Sequence, residues 1–379
     1  MSADVTPTFA VVTGGGTAGH VLPALAIAEA LVAAGHPVGQ IHYVGTSRGV
    51  ETSLVPPTGH PHTFLDVVGL QRSLSRRNLA FLPRLVRATR RATSLLRDLR
   101  PNVVINVGGY GSFPATWAAR RLGIPYVVVS YDRRPGLVSR LMAPHAAACA
   151  VAFEGSSLPH AHYTGAPVRQ HLVDLDRAAQ RDAARAALGL PADRFVVAVV
   201  GGSLGATAIN RVVEATVEAL ADRRDLALHH VVGPRNLGGA APERDGASGI
   251  LYRVIGYEDR MPAVYAAADL LVTRAGAGTI AELATVGVPA LVVPWPGAAE
   301  HHQHDNARVL GDVGAAVVID ETEFTAERLV HEIDRLTADR SSLDEMASRA
   351  RAAGAAHRSG RLVALVERVA ADAPGDAPR

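Results

Sequence analysis

The chain has 379 residues and a mass of 39.6 kDa, enough for two domains and at most three at about 150 residues each. Hydrophobic residues make up 48% and charged residues 20%, which excludes a disordered chain, and a net charge of +2 argues against a protein that coats nucleic acid. A single cysteine, Cys149, excludes a disulfide framework and a cysteine-based zinc cage and fits a reducing compartment.

No basic residue precedes Arg48, so the start of the chain lacks the charged opening of a signal peptide. No apolar run approaches the roughly 18 residues that cross a bilayer. Residues 8–13 (TFAVVT) read as a strand, Gly14 to Gly19 as a glycine loop, and His20 to Ala34 as a helix with Leu22, Leu25, Ala26, Leu31 and Val32 at helical spacing. Gly35 ends that helix. Residues 71–100 hold nine arginines, from Arg72 to Arg100, and one acid, Asp98. Leu74, Leu79, Phe81, Leu82, Leu85, Leu95 and Leu96 lie among them. Two readings stay open: a surface that rests on an anionic bilayer, or a solvated helix face whose leucines point to the core.

Val103 to Val107 leads into Gly108-Gly109-Tyr110-Gly111-Ser112, a small-residue helix, then Gly123-Ile124-Pro125 and the strand Tyr126 to Val129. The apolar-poor stretch Glu154 to Gly165 places a domain boundary near Pro167. Both patterns then recur. Phe195 to Val200 is a buried-strand run, Gly201 to Gly205 a loop, and Ala206 to Leu220 a helix. Leu270 to Thr273 leads into Gly276-Ala277-Gly278-Thr279, another small-residue helix, Gly287-Val288-Pro289 and the strand Ala290 to Val293. Strands alternating with helices in two similar halves predict two doubly wound parallel-sheet domains.

Such loops bring backbone N–H groups and the positive end of a helix onto a phosphate. Four of them, at 14–19, 108–112, 201–205 and 276–279, point to a nucleotide or sugar-nucleotide site. None is followed by Gly-Lys-Ser/Thr, which argues against an ATPase or kinase. Val44-Gly45-Thr46 stands where a dinucleotide site would place an acid. Glu282, one turn inside the helix that opens at Gly276, can accept from the vicinal hydroxyls of a ribose or serve as a helix-dipole carboxylate. His301, His302 and His304 are spaced so that one helix cannot turn all three to one metal ion. Gln303 and Asn306 lie one turn apart, and neutral amides suit sugar hydroxyls.

In order, the chain carries Gly15-Gly16-Thr17-Ala18-Gly19-His20-Val21-Leu22-Pro23-Ala24-Leu25-Ala26, Val107-Gly108-Gly109-Tyr110, Gly165-Ala166-Pro167-Val168-Arg169, Gly201-Gly202-Ser203-Leu204-Gly205-Ala206, the run Arg274 to Glu282, and His302-Gln303-x-x-Asn306-Ala307. From about residue 9 to 345, these motifs together resemble the MurG family, the peripheral-membrane GlcNAc transferases of peptidoglycan synthesis. The resemblance implies an α/β GT-B fold, two Rossmann-like doubly wound parallel-sheet domains facing a central cleft. It implies a membrane-facing acceptor domain at 1–166, rejoined by a C-terminal helix at 346–370, a UDP-sugar domain at 167–345 and a frayed tail at 371–379. The implied reaction moves GlcNAc from UDP-GlcNAc to the MurNAc 4-hydroxyl of lipid I (undecaprenyl-pyrophosphoryl-MurNAc-pentapeptide), giving lipid II with inversion at C1. It would run on the cytoplasmic face of the cell membrane, against an anionic surface, with no cofactor, metal or nucleic acid.

Carried over by motif, Glu282 would hold the ribose. Ser203 and the loop Ala277, Gly278 and Thr279 would face the diphosphate, with Ile280 and Ala281 in the same run. Arg169 would lie at the nucleotide, and Glu258 stands where the family contacts uracil through the backbone. Gln303 would bind GlcNAc hydroxyls, with Asn306 nearby. Thr17, Ala18 and Gly19 would line the cleft from the acceptor domain, and His20 is the expected general base, or a substrate-binding histidine that moves no proton. The chain departs from the family after Val129, where Ser130-Tyr131-Asp132-Arg133 replaces the usual His-Glu-Gln-Asn and Asp132 takes the place of a GlcNAc-contacting Asn. An aspartate accepts hydrogen bonds but cannot donate them. A transferase with a non-lipid acceptor, favoured by Asp132-Arg133-Arg134, and a UDP-sugar sensor are the competing readings. A UDP-GlcNAc 2-epimerase needs an acid/base set at C2, which the glycine-loop motifs lack.

Overall fold

A computed structural model describes residues 7–69, 81–202, 205–298 and 302–372. Arg72, Leu74, Arg76, Arg77, Leu79, Ser203, His301 and the tail beyond residue 372 lie outside the described residues. Described residues up to Gln170 and from Ala356 onward form one compact unit, and His171 to Ala355 form the other.

The strands of the first unit are β1 (Ala10–Thr13), β2 (Ile41–Thr46), β3 (His62–Leu65), β4 (Val103–Asn106), β5 (Tyr126–Ser130), β6 (Ala148–Val151) and β7 (Ala161–Tyr163). Their order in the sheet is β3-β2-β1-β4-β5-β6-β7, with every pairing parallel. The central strands are short unbroken apolar runs, because helices cover both faces of a parallel sheet. Val11, Val44, Val104 and Val128 meet Ala92 and Leu96 of helix Phe81–Leu99 and Ala115 and Ala118 of helix Phe113–Leu122. The chain leaves β1 toward β2 and β3, then crosses back to β4. That makes the β1/β4 edge a switch point, where open α/β sheets bind their ligands. Helix Arg361–Ala371 packs against β4, β5 and β6, and the Ala166 N–H donates to His357 Nδ1 at 3.0 Å.

In the second unit the strands are β8 (Phe195–Val200), β9 (Leu226–Val231), β10 (Arg244–Asp245), β11 (Leu251–Ile255), β12 (Leu270–Thr273), β13 (Ala290–Val292) and β14 (Ala316–Val318). Their order is β10-β11-β9-β8-β12-β13-β14, and only the β10 edge pairing is antiparallel. The same logic puts this switch point at β8/β12, where Val200 pairs with Thr273. Arg185 is fully buried and fastens helix Arg177–Leu188 to the sheet. It donates to Ala267 O at 3.0 Å, to Ala192 O and Arg194 O at 2.8 Å, and to Asp269 Oδ2 at 2.7 Å. Every part of that guanidinium is satisfied, the condition under which a buried charge is tolerated.

The sequence places the elements well and their ends less so. Helix Ala18–Ala33 begins two residues before the expected His20, inside the glycine loop, because Thr17 is extended and Ala18 and Gly19 already turn. Helix Phe81–Leu99 satisfies the core reading of its second half, where Ala92, Thr93 and Leu96 are buried, while Leu82 and Val86 near its start are exposed.

Three histidines, His42 and His230 buried and His357 half-buried, tie stability to pH. Burial drives His42, His230 and His357 down from the ordinary 6.5 to about 4. His230 is held between the Tyr252 hydroxyl at 2.9 Å and Asn210 Oδ1 at 3.1 Å, and protonating His357 Nδ1 would break its bond from Ala166. Between pH 6.5 and 4 the unfolded chain binds more protons at these sites than the folded one. Their contribution is therefore whole above pH 6.5 and is lost as pH falls toward 4. Urea unfolding at pH 7, 5.5 and 4.5 should show a steadily falling midpoint; a midpoint that stays level over this range would contradict the assignment.

Candidate functional site

Two helices in the second unit begin where β8 and β12 end. Thr273 Oγ1 donates to Val200 O at 2.8 Å and locks the two strand ends at one level. Helices Thr207–Ala219 and Ala277–Val286 follow, with Ala206 and Gly276 as N-cap residues and no side-chain cap on either. The first N–H groups of a helix have no partner within it, and the helix dipole adds partial positive charge. Two such ends at one sheet edge are an anion site. Gly205 makes the first turn possible: its φ is +77°, and a Cβ there would lie 2.1 Å from Val232 O.

The run Ala277 to Glu282 divides by exposure. Ala277, Ile280 and Ala281 are buried, so their side chains serve the core. Gly278, Thr279 and Glu282 are partly exposed and share one helix face. Glu282 is held from behind by Tyr265, whose hydroxyl donates to Glu282 Oε2 at 2.5 Å. Burial first, and then the Glu282 charge, push the Tyr265 hydroxyl well above its ordinary range, so it remains a donor. Tyr265 escapes motif reading; the available signal is a tyrosine inside the apolar helix Met261–Ala267, whose hydroxyl needs a partner.

Gln303 and Asn306, one turn apart, both reach the backbone of Ala275. Gln303 Oε1 accepts from Ala275 N at 3.3 Å and Trp295 N at 2.9 Å, and Asn306 Nδ2 donates to Ala275 O at 3.3 Å. They therefore fix the loop before Gly276, and Gln303 keeps two N–H donors that no described residue engages. Arg274 supports the same turn through Val293 O at 3.1 Å and an ion pair with Glu321. His304 Nε2 lies 3.3 Å from Asp320 Oδ1. Glu258 is buried and accepts from Arg260 N and Arg260 Nε, both at 2.9 Å, which leaves its backbone as the part that could meet a base.

In the first unit, Thr17, Ala18, Gly19 and His20 form the opening turn of helix Ala18–Ala33. His20 Nδ1 sits 3.1 Å from Thr17 Oγ1. Its ring lies over the second glycine loop, where a Cβ on Gly109 would come within 3.2 Å of the imidazole and 2.3 Å of Gly15 O. Tyr131 stands edge-on at 6.5 Å from His20, and its hydroxyl donates to Gly19 O. Burial lowers the His20 pKa below the ordinary 6.5, against the opposing charges of Asp132 and Glu51. His20 is therefore neutral at pH 7 and able to accept a proton. Asp132 is partly exposed, and Arg133 and Arg134 are exposed beside it. Arg169 Nε donates to both Glu29 oxygens at 2.8 Å, within the first unit.

Two doubly wound sheets, each with glycine loops at its switch point, are the architecture of the GT-B class. The sequence models of the glycosyltransferase family 28 N-terminal and C-terminal domains match residues 10–151 and 196–361. The UDP-N-acetylglucosamine--N-acetylmuramyl-(pentapeptide) pyrophosphoryl-undecaprenol N-acetylglucosamine transferase of Paenarthrobacter aurescens (strain TC1) is 42% identical over 364 residues, covering 95% of this chain and 96% of the relative. The transferase of the same name from Acidothermus cellulolyticus is also 42% identical, over 95% of this chain and 98% of its own. The crystal structure of Acinetobacter baumannii MurG superposes with a TM-score of 0.71 at 26% identity, covering 96% of this chain and 99% of that one. The chain belongs to glycosyltransferase family 28, within the MurG family.

Nuclear magnetic resonance titration of the imidazole signals should place the His20 midpoint below the ordinary 6.5. A His20 midpoint at or above 6.5 would contradict the effect of burial on this ring.

Proposed function

We propose that this protein is a UDP-GlcNAc-dependent hexosyltransferase that moves GlcNAc to the MurNAc 4-hydroxyl of lipid I, forming lipid II with inversion at the sugar C1. The observation that carries this reading is the pair of uncapped helix N-termini at the neighbouring ends of β8 and β12, with Glu282 one turn inside. In this reading the amides of Ala277, Gly278 and Thr279, with Ser203 from the other loop, hold the diphosphate. Glu282, steadied by Tyr265, accepts from the ribose hydroxyls, and the backbone at Glu258 meets uracil. The free amide hydrogens of Gln303 donate to GlcNAc hydroxyls, and Asn306 keeps the Ala275 turn in place for them.

His20 takes the proton of the acceptor hydroxyl as that oxygen attacks C1 from the side opposite the departing UDP. Negative charge then grows on the diphosphate, where fixed amide dipoles stabilise it without reorganising, a term commonly worth several kcal/mol per site. Thr17 holds Nδ1, so Nε2 is the nitrogen left to act.

Incubation of labelled UDP-GlcNAc with a lipid I analogue should give a β1,4-linked product. UDP-ManNAc as product, or binding without turnover, would overturn the transferase reading. His20→Ala should lower turnover by about 10²-fold or more with little change in UDP affinity. Glu282→Ala should weaken UDP by about tenfold, the loss of charge-assisted hydrogen bonds, and unaltered affinity in calorimetry would count against the ribose role.

The acceptor is a membrane lipid, and the first unit offers a surface for it. Leu82, Val86, Trp117, Leu137 and Leu141 are exposed, at 65%, 42%, 38%, 71% and 56%, on helices Phe81–Leu99, Phe113–Leu122 and Leu137–Met142. Arg87, Arg90, Arg91 and Arg140 are exposed on the same helices. No helix among the described residues is long and apolar enough to cross a membrane. Apolar side chains within an arginine field suit peripheral attachment to an anionic bilayer on the cytoplasmic face of the cell membrane. The protein should float with anionic liposomes at low salt and less at high salt; recovery independent of lipid would remove this surface.

A further inference from the structure

The first glycine loop already contains an anion. Glu51 is wholly buried, and among the described residues no cationic side chain pairs with it. Its Oε1 accepts from Thr46 N at 2.8 Å and from Gly16 N at 3.0 Å, and its Oε2 lies 3.3 Å from Gly16 N. Three glycines make room for this carboxylate. A Cβ on Gly15 would come within 2.5 Å of Oε1, one on Gly45 within 3.1 Å of Cγ, and one on Gly49 within 1.9 Å of Oε2. A buried carboxylate held, among the described residues, by backbone amides alone, with three glycines around it, is a built site and not a stray side chain.

We propose that Glu51 is a positioning residue for His20: its carboxylate occupies the first glycine loop as a phosphate occupies a nucleotide loop, fixing the turn that presents Thr17 and His20 and placing a carboxylate behind the imidazole. The inference rests on the reading of His20 as the base. Geometry links the two directly. Gly16, held by Glu51, precedes Thr17, whose hydroxyl holds His20 Nδ1. Gly15 O in turn lies against Gly109, over which the His20 ring packs.

The charged and titratable groups that face His20 are Asp132 from the loop after β5, Tyr131 from the end of β5, and Glu51 from helix Glu51–Leu54. Both carboxylates favour the imidazolium, against burial, and Glu51 has the smaller effect of the two. A base that must be neutral in the resting enzyme yet positive during transfer gains from a nearby fixed anion, since that charge stabilises the imidazolium as it forms.

Glu51→Gln keeps an oxygen for Thr46 and Gly16 and removes the charge, whereas Glu51→Ala removes both. In Glu51→Gln, nuclear magnetic resonance titration should move the His20 midpoint down, and the acid limb of kcat/KM should move the same way. kcat should fall severalfold with the KM for UDP-GlcNAc unchanged, and further in Glu51→Ala. A His20 midpoint and acid limb unchanged in Glu51→Gln would overturn the proposal, even if Glu51→Ala fails to fold. If His20→Ala retained full turnover, the base reading would fall instead, while the titration of His20 in Glu51→Gln would still report whether Glu51 acts on the imidazole.

Discussion

Backbone amides at the carboxyl edge of a parallel sheet are donors that the sheet itself cannot satisfy, and each must find an acceptor elsewhere. Both units diverge from a central strand pair, β1/β4 in one and β8/β12 in the other, and both open glycine turns there. In the first unit Glu51 accepts from the amides of Gly16 and Thr46. In both units the N-cap residues of the helices that leave this edge, Thr17, Ala206 and Gly276, make no side-chain cap bond.

Burial lowers the proton affinity of His20, and the carboxylates of Asp132 and Glu51 limit how far it falls. The bonds from Gln303 and Asn306 to Ala275 fix the turn that opens helix Ala277–Val286. Preorganised dipoles of this kind act through geometry fixed at folding and need no rearrangement during the reaction.

The strands and glycine turns were legible in the sequence because each is a local signal: unbroken apolar runs for buried parallel strands, glycines where turns are tight. β8 and β12 have the expected limits of Phe195–Val200 and Leu270–Thr273. The supporting residues were not legible, since nothing local marks them. Glu51 reaches Gly16 across 35 positions, Tyr265 reaches Glu282 across 17, and Arg169 reaches Glu29 across 140. A glycine turn read alone also cannot reveal whether its amides are already engaged, so the sequence treats all four turns alike where the fold distinguishes them. The arginine-rich segment shows the same limit, because one helical period serves a buried face at Leu96 and an exposed one at Leu82.

The departure at Ser130-Tyr131-Asp132-Arg133 has a structural logic of its own. Pro23 lies inside helix Ala18–Ala33 and has no N–H, so the carbonyl four residues earlier, at Gly19, loses its helical donor. Tyr131 supplies one through its hydroxyl. Burial keeps that hydroxyl protonated, and the neighbouring Asp132 charge acts in the same direction, so the donor persists at any pH where the enzyme could work. The turn that carries His20 is thus held at three points, by Glu51 at Gly16, by Thr17 at the ring nitrogen, and by Tyr131 at Gly19. A residue that looks out of place in the motif is in this chain part of the frame around His20, and the aspartate beside it brings its charge to the same imidazole.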